Sequence, residues 1–232
     1  MRSLSILIIS IILSVTLPRQ GNATEMVFGN ILHNGGLIDK HITSMKDMHF
    51  TNMVRQHTDF SCGAAAVATI LKYAYGLDVT EDQIIRGMLL VSDIKVVSAR
   101  GFSMLDMKHY VQTIDLQGRG YQIKYPMLLR LKIPVIVLLD MKGYKHFVVL
   151  AKATPDSVYI ADPALGNRLI SRNEFKKEWN NIIFAVVGPG LDHSSSLLSP
   201  PPPLTASISY SAMRPLNDSQ LLEFGFDYRT FF

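Results

Sequence analysis

The chain has one cysteine, Cys62, and seven histidines, so thiol chemistry would have to be built on that one sulfur. A thiol attacks a carbonyl carbon as the thiolate, a form favoured at a helix N-terminus by unpaired N–H groups and the macrodipole. The sequence gives Cys62 that placement. Asp59 and Ser61 are residue types that cap helices, Ala64 to Tyr75 is good helix-forming material, and Gly76 supplies a stop. The thiolate also needs an imidazole to share its proton and later protonate the leaving group. His146 is the best placed, because it opens the apolar strand His146-Phe-Val-Val-Leu150. The turn signal Ala153-Thr-Pro-Asp156 makes the following segment an antiparallel partner, with His146 opposite Asp162 or Pro163. A carboxylate there would orient the ring and stabilise the imidazolium. Gln56, six residues before Cys62, could place a side-chain amide beside the thiolate, with the Cys62 backbone N–H as a second oxyanion donor. Each residue alone has a plainer reading: a buried cysteine, a half-exposed histidine at a strand start, an Asp-Pro turn.

The elements that must position these groups come in two sets. Val67, Ile70, Leu71 and Ala74 recur at i, i+3, i+4, i+7 and mark the buried stripe of the Cys62 helix. A second helix runs from the capping-box pattern Thr80-x-x-Gln83 to about Leu90, and a third begins near Ser103 and carries Leu105, Tyr110 and Val111. From Tyr121 the period changes. Pro134-Val-Ile-Val-Leu-Leu139, Lys145 to Lys152 and Ser157 to Ala161 read as strands, followed by a short helix, Arg172 to Trp179, and an apolar run, Ile182 to Val187. Helices early and hairpin-linked strands late describe an α+β domain with an antiparallel sheet.

Gln56-x5-Cys62-Gly63-Ala64-Ala65, then His146-Phe-Val-Val-Leu, then Asp162-Pro163-x-x-Gly166 resembles the peptidase C39 family, the double-glycine leader peptidases within the papain-like cysteine peptidases. The resemblance covers about residues 50–188 and includes Pro134 before a core strand and Glu174-Phe175 ahead of Trp179. It implies a papain-like fold with the nucleophile helix packed on an antiparallel sheet. It also implies Cys62 as nucleophile, His146 as general base and acid, Asp162 as orienter and Gln56 in the oxyanion hole. Exporter-linked members continue into membrane and ATPase domains, which this sequence does not show, and they usually have Asp where Ser61 stands. The chain is therefore more similar to stand-alone exported members, some encoded with secretion systems for functional amyloid or other surface fibres.

Composition sets the remaining bounds. Of 232 residues, 48% are hydrophobic and 18% charged, too apolar for a disordered chain. Arg2, the apolar run Leu4 to Leu17 and the small-residue site Gly21-Asn22-Ala23 form the pattern of a secretory signal peptide over 1–23. The run is short for a bilayer span, and an uncleaved anchor is the alternative. Losing Arg2 and Arg19 leaves 21 basic against 19 acidic residues, reducing the formal net charge from +4 to +2. With no basic block, a nucleic-acid partner is disfavoured. Histidines at 33, 41, 49 and 57 recur every eight residues, unlike the three- or four-residue spacing of metal-binding pairs. There is no His-x-x-x-His and no Gly-rich phosphate loop followed by Lys, so neither metal nor other cofactor is expected. Gly35-Gly36 marks a turn. The peptidase-like domain should span 24–188, with 189–232 a linker around Ser194–Ser196 and Pro200–Pro203 and an aromatic tail, either docking or disordered.

The leading expectation is a periplasmic cysteine endopeptidase that cleaves an exported polypeptide after small residues, with Gly-Gly the candidate site, in the service of a fibre or functional-amyloid secretion system. Its partners would be that polypeptide and secretion-system or fibre-subunit proteins, with no membrane span in the mature chain. The alternatives are a papain-like amidase or acyltransferase on cell-wall peptides, or a substrate-docking or chaperone module without turnover.

Overall fold

The computed structural model describes residues 25–28, 38–41, 44–141 and 143–200. The expected signal peptide, the Gly35-Gly36 turn, His33 and the aromatic tail lie outside them. Strands β1 (Glu25–Phe28) and β2 (Ile38–His41) pair antiparallel as a unit of their own.

The rest of the described chain begins with a short helix, α1 (Met45–His49), and then α2 (Cys62–Ala74), α3 (Glu81–Leu89), α4 (Ile94–Arg100) and α5 (Met104–Gln112). A sheet follows: β3 (Gln117–Gln122), β4 (Val135–Met141), β5 (Tyr144–Ala153), β6 (Ser157–Asp162), β7 (Gly166–Ser171) and β8 (Trp179–Val187). Helix α6 (Tyr125–Leu128) lies between β3 and β4, and α7 (Arg172–Glu178) between β7 and β8. The strand order is β3-β8-β4-β5-β6-β7 and every neighbour is antiparallel. The α+β class and papain-like arrangement expected from the sequence are present.

The central strands are apolar on both faces because both are covered. Phe147 and Val149 of β5 join the core formed with α2, α3 and α5. Val148 and Leu150, alternating with them, join a second core with Tyr125, Phe175 and Trp179. Helix α2 departs from the amphipathic stripe expected of it. Val67, Ile70, Leu71 and Ala74 are buried, but so are Ala64, Ala65, Ala66 and Ala68. Small side chains let the helix sit inside the domain. A Cβ on Gly63 would lie 2.9 Å from the Met107 side chain and 3.5 Å from Phe147, so the helix start presses directly on α5 and β5.

Several local expectations are met. Gly76 follows the end of α2 with φ +66°, and Thr80 and Gln83 form the reciprocal capping box of α3. Others are corrected. Leu105 of α5 is exposed, and the buried residues of that helix are Met107, Tyr110 and Val111. Neither Asp59 nor Ser61 caps α2 by its side chain. The Ser61 hydroxyl instead donates to the Thr58 carbonyl at 2.8 Å, stapling the preceding turn.

The β5–β6 register is also displaced. Val149 lies opposite Ala161, which puts Val148, not His146, opposite Asp162 as the ladder is extended, and an irregularity between Leu150 and Lys152 shifts the pairing again towards the turn. An extra residue on one strand does this, locally interrupting the ladder while pairing continues on either side. His146 and Asp162 remain within reach as diagonal neighbours. Downstream, Ser196–Leu198 forms a short 3-10 turn with Leu197 buried, and Ser195 donates its hydroxyl to the Tyr73 carbonyl at 2.5 Å. The start of the expected linker is thus docked on α2.

Candidate active site

Cys62 is the first residue of α2 and is buried at 8% exposure. The first N–H groups of any helix lack intrahelical acceptors, and here no capping side chain takes them. The thiol borders a cleft of about 620 Å³ that runs between the Asp59-Phe60 turn, the Arg100–Phe102 loop and the start of β5 at Tyr144. Gly101 shapes this loop: its φ is +72°, and a Cβ there would meet the Phe60 carbonyl at 3.3 Å.

His146 and Asp162 meet in the sheet. Asp162 Oδ1 accepts a hydrogen bond from His146 Nε2 at 2.8 Å, and both residues are almost fully buried. The carboxylate has three further donors: the backbone N–H groups of Ala164 at 2.9 Å and Leu165 at 3.1 Å, and Arg168 Nη1 at 3.1 Å on Oδ2. Those two N–H groups exist because the chain turns back at once. Asp162 pairs with Gly166, whose φ of +89° closes the turn, so the Asp-Pro-x-x-Gly spacing is a tight hairpin with a carboxylate at its base.

The electrostatics follow from this geometry. Burial opposes charge on the ring, but the hydrogen bond and charge of Asp162, with Cys62 acting in the same direction, outweigh it and push the His146 pKa up to about 9. Burial likewise opposes charge on Asp162, and the His146 and backbone hydrogen bonds outweigh it, holding the carboxyl below its ordinary range. Cys62 favours the imidazolium without a hydrogen bond of ordinary geometry, since His146 Nδ1 is buried and unpartnered. A ring with Nε2 tied to a carboxylate and Nδ1 free beside a thiol can hold a proton at neutral pH, balance a thiolate and deliver the proton to a leaving amine.

Gln56 is brought to the same turn from the other side. Its backbone N–H donates to the Pro163 carbonyl at 2.9 Å, one residue after Asp162, and its side-chain Oε1 is buried without a partner. Residues 56, 62, 146 and 162 therefore converge on the head of α2 and the β6–β7 turn. Two neighbours were not read from the sequence. Arg168 lies two residues past Gly166, so reading Asp-Pro-x-x-Gly as a hairpin would have placed it on the face of Asp162. Tyr144, two residues before His146 on the same strand face, stacks on the imidazole with centroids 5.9 Å apart and donates to the Asp59 carbonyl at 3.4 Å. Among the described residues, no cluster of three His, Cys, Asp or Glu side chains is placed to hold a metal ion, and no helix is long and apolar enough to cross a membrane.

Similarity to known proteins covers this region. The chain is 51% identical over 198 residues to the probable functional amyloid protease FapD of Pseudomonas fluorescens, spanning 85% of this chain and 88% of that protein. It is 47% identical over 226 residues to the protein of the same name from Pseudomonas aeruginosa, with 97% and 99% covered. Among solved structures, a double glycine motif protease from an AMS/PCAT transporter, in complex with its leader peptide, matches with TM-score 0.50 and 27% identity. That match covers 58% of this chain and 89% of the other. The peptidase domain of Streptococcus ComA shares the fold at TM-score 0.51 and 18% identity, over 59% and 97%. Residues 51–188 match the sequence profile of the Peptidase C39 family, and with both the thiol and the imidazole–carboxylate pair in place the chain belongs to that family of cysteine peptidases.

Proposed function

We propose that Cys62 is the nucleophile of a periplasmic endopeptidase that processes an exported polypeptide of a functional-amyloid secretion system, with His146, Asp162 and Gln56 in support. The observation that carries this reading is the buried His146–Asp162 pair, whose ring keeps Nδ1 unpartnered and is acted on by Cys62 at the head of α2. The names of the two Pseudomonas relatives support the amyloid context. The apolar run and small-residue site before Thr24 support export, with a mature chain starting at that residue.

The Cys62 sulfur attacks the scissile carbonyl carbon and a C–S bond forms. The carbonyl oxygen takes up the electron pair, stabilised by the Gln56 amide and the Cys62 backbone N–H. The proton on His146 Nδ1 passes to the leaving nitrogen, the C–N bond breaks, and a thioester remains. Water, deprotonated by His146, attacks the thioester; the C–S bond breaks and the carboxylic product and thiol are released. Phe60, Phe102 and Tyr144 line the cleft together with Cys62. We take Gly-Gly as the candidate cut because large side chains crowd the cleft next to Cys62.

The test is to incubate the full mature chain with precursors of fibre subunits and with Gly-Gly peptides. Wild type should cleave and Cys62→Ala should be inert, with cleavage placed after the second glycine by mass spectrometry. Undiminished cleavage by Cys62→Ala would remove the nucleophile, and turnover confined to cell-wall peptides would replace the substrate class. N-terminal sequencing of the periplasmic protein should begin at Thr24.

A further inference from the structure

Glu81 is a buried carboxylate that none of the chemistry above uses. It opens α3 and is only 3% exposed. Burying a carboxylate is costly without partners, and the partners here all belong to one residue. The His57 backbone N–H donates to Glu81 Oε1 at 3.0 Å and Oε2 at 3.1 Å, and His57 Nδ1 also pairs with Oε2. The His57 side chain is 77% exposed, so the carboxylate is not there to satisfy a buried imidazole. What it secures is main chain, and the adjacent residue is Gln56.

The segment 54–57 has no regular secondary structure of its own. It is fixed at three points by three different elements. The Val54 N–H donates to Thr69 Oγ1 of α2 at 3.0 Å. The Gln56 N–H donates to the Pro163 carbonyl of the β6–β7 turn at 2.9 Å, and the His57 N–H is gripped by Glu81 of α3. The Gln56 side chain leaves this segment with its Oε1 buried and unpartnered, so nothing bonded to that oxygen holds the amide in place. Its aim must come from the backbone, and an oxyanion donor is effective only when preorganised.

We propose that Glu81 is a positioning residue for Gln56, clamping the segment 54–57 through the His57 N–H so that the amide is aimed before substrate arrives. The proposal rests on the oxyanion role of Gln56 given above. A carboxylate suits the position because both oxygens accept, whereas a glutamine would turn an N–H donor towards one of the His57 donors.

The experiment uses the full mature chain, a fluorogenic Gly-Gly peptide amide, and iodoacetamide as a probe of Cys62. Alkylation consumes the thiolate but develops no oxyanion, so it separates aim at the amide from damage to the thiol. Gln56→Ala should lower kcat about 100-fold. Glu81→Gln should lower kcat about 10-fold with KM within about twofold and the alkylation rate unchanged. In the Gln56→Ala background the same Glu81→Gln change should cost less than about twofold, the non-additivity expected of residues acting as one unit. Glu81→Asp should recover part of the rate, and His57→Ala, which keeps the N–H, should stay within about twofold of wild type. Alkylation that slows in step with hydrolysis, full additivity with Gln56→Ala, or His57→Ala as damaging as Glu81→Gln would each overturn the clamp. A Gln56→Ala protein with normal kcat would overturn the oxyanion role itself and the clamp with it. If Glu81→Gln fails to fold, Glu81→Asp and His57→Ala carry the same comparison.

Discussion

Two polar residues are tied to the β6–β7 turn, and their side chains are satisfied to opposite degrees. Asp162 accepts from an imidazole, two backbone N–H groups and a guanidinium. Gln56 has its main chain anchored but its Oε1 buried with no partner. His146 is divided the same way, with Nε2 bonded and Nδ1 bare. Buried polar atoms without partners are rare and need an explanation. On the reading proposed above, hydrogen bonding is saturated on the carboxylate that would orient the ring and left open on the ring nitrogen that would pass a proton to the substrate, while Gln56 would meet an oxyanion through its amide N–H and not through the bare oxygen.

The largest expected effect comes from breaking the saturated side. Asp162→Ala leaves His146 and Arg168 without their shared partner and should destabilise the fold by about 3 kcal/mol, the low end for breaking a buried pair because Arg168 is part-exposed. Urea denaturation measures this. Asp162→Asn keeps the shape and the neutral bonds, so it should fold better than the alanine variant yet lose about 100- to 10,000-fold in kcat, because the ring loses its charged orienter. An active Asp162→Asn protein would break the comparison, since saturation would then serve stability alone.

The pH profile tests the same division with no change of residue. His146 is raised from 6.5 to about 9, so catalysis needing the imidazolium should fall along an alkaline limb near pH 9. In Asp162→Asn that limb should move down towards 6.5. Stability carries the matching sign. The His146 contribution is complete below pH 6.5 and is lost as pH rises through about 9. The Asp162 contribution is present above pH 3.8 and is lost as pH falls through its lowered value. A limb that stays put in Asp162→Asn would assign the raised pKa to other groups.

What the sequence made legible follows from how local each signal is. Cys62 at a helix start and His146 on an apolar strand rest on short-range patterns; Cys62 stands at the start of α2 as expected, and His146 lies on the expected strand but two residues inside its start at Tyr144. The His146–Asp162 contact was anticipated through a register that is displaced; it survives because diagonal neighbours on one face still touch. Strand β7 carries little apolar alternation and β3 is built of Gln117-Gly-Arg-Gly-Tyr-Gln122, so neither edge strand announces itself. The hydroxyl of Ser61 and the carboxylate of Glu81 find partners in a turn and a loop, choices that tertiary packing makes and no periodicity records.

Arg168 sharpens the comparison at a smaller scale. It supplies one of the four donors to Asp162 and is 29% exposed, so solvent screens its charge. Arg168→Ala should cost about 1 kcal/mol and a few-fold in kcat, while Arg168→Lys, which keeps a charge but not the planar fork, should fall between. A loss as great as that of Asp162→Ala would mean that the guanidinium, not the imidazole, is what the carboxylate chiefly serves.

The smallest effect is expected at Tyr144, on the open side of the ring. Its phenol reaches the Asp59 carbonyl at 3.4 Å, at the long limit of a hydrogen bond, and the side chain is half exposed. Burial raises its pKa and the charges of Cys62, Asp59 and Asp162 act in the same direction, so the hydroxyl stays protonated and contributes no charge at neutral pH. Tyr144→Phe should therefore change kcat by less than about twofold, whereas Tyr144→Ala, which also strips the stacked ring from His146, should cost about 1 kcal/mol, several-fold in kcat. The pair separates two roles by one atom and one ring. If Tyr144→Phe were as damaging as Tyr144→Ala, the hydroxyl would be a working group facing the substrate, and the open side of the site would hold a polar participant besides the unpaired Nδ1 of His146.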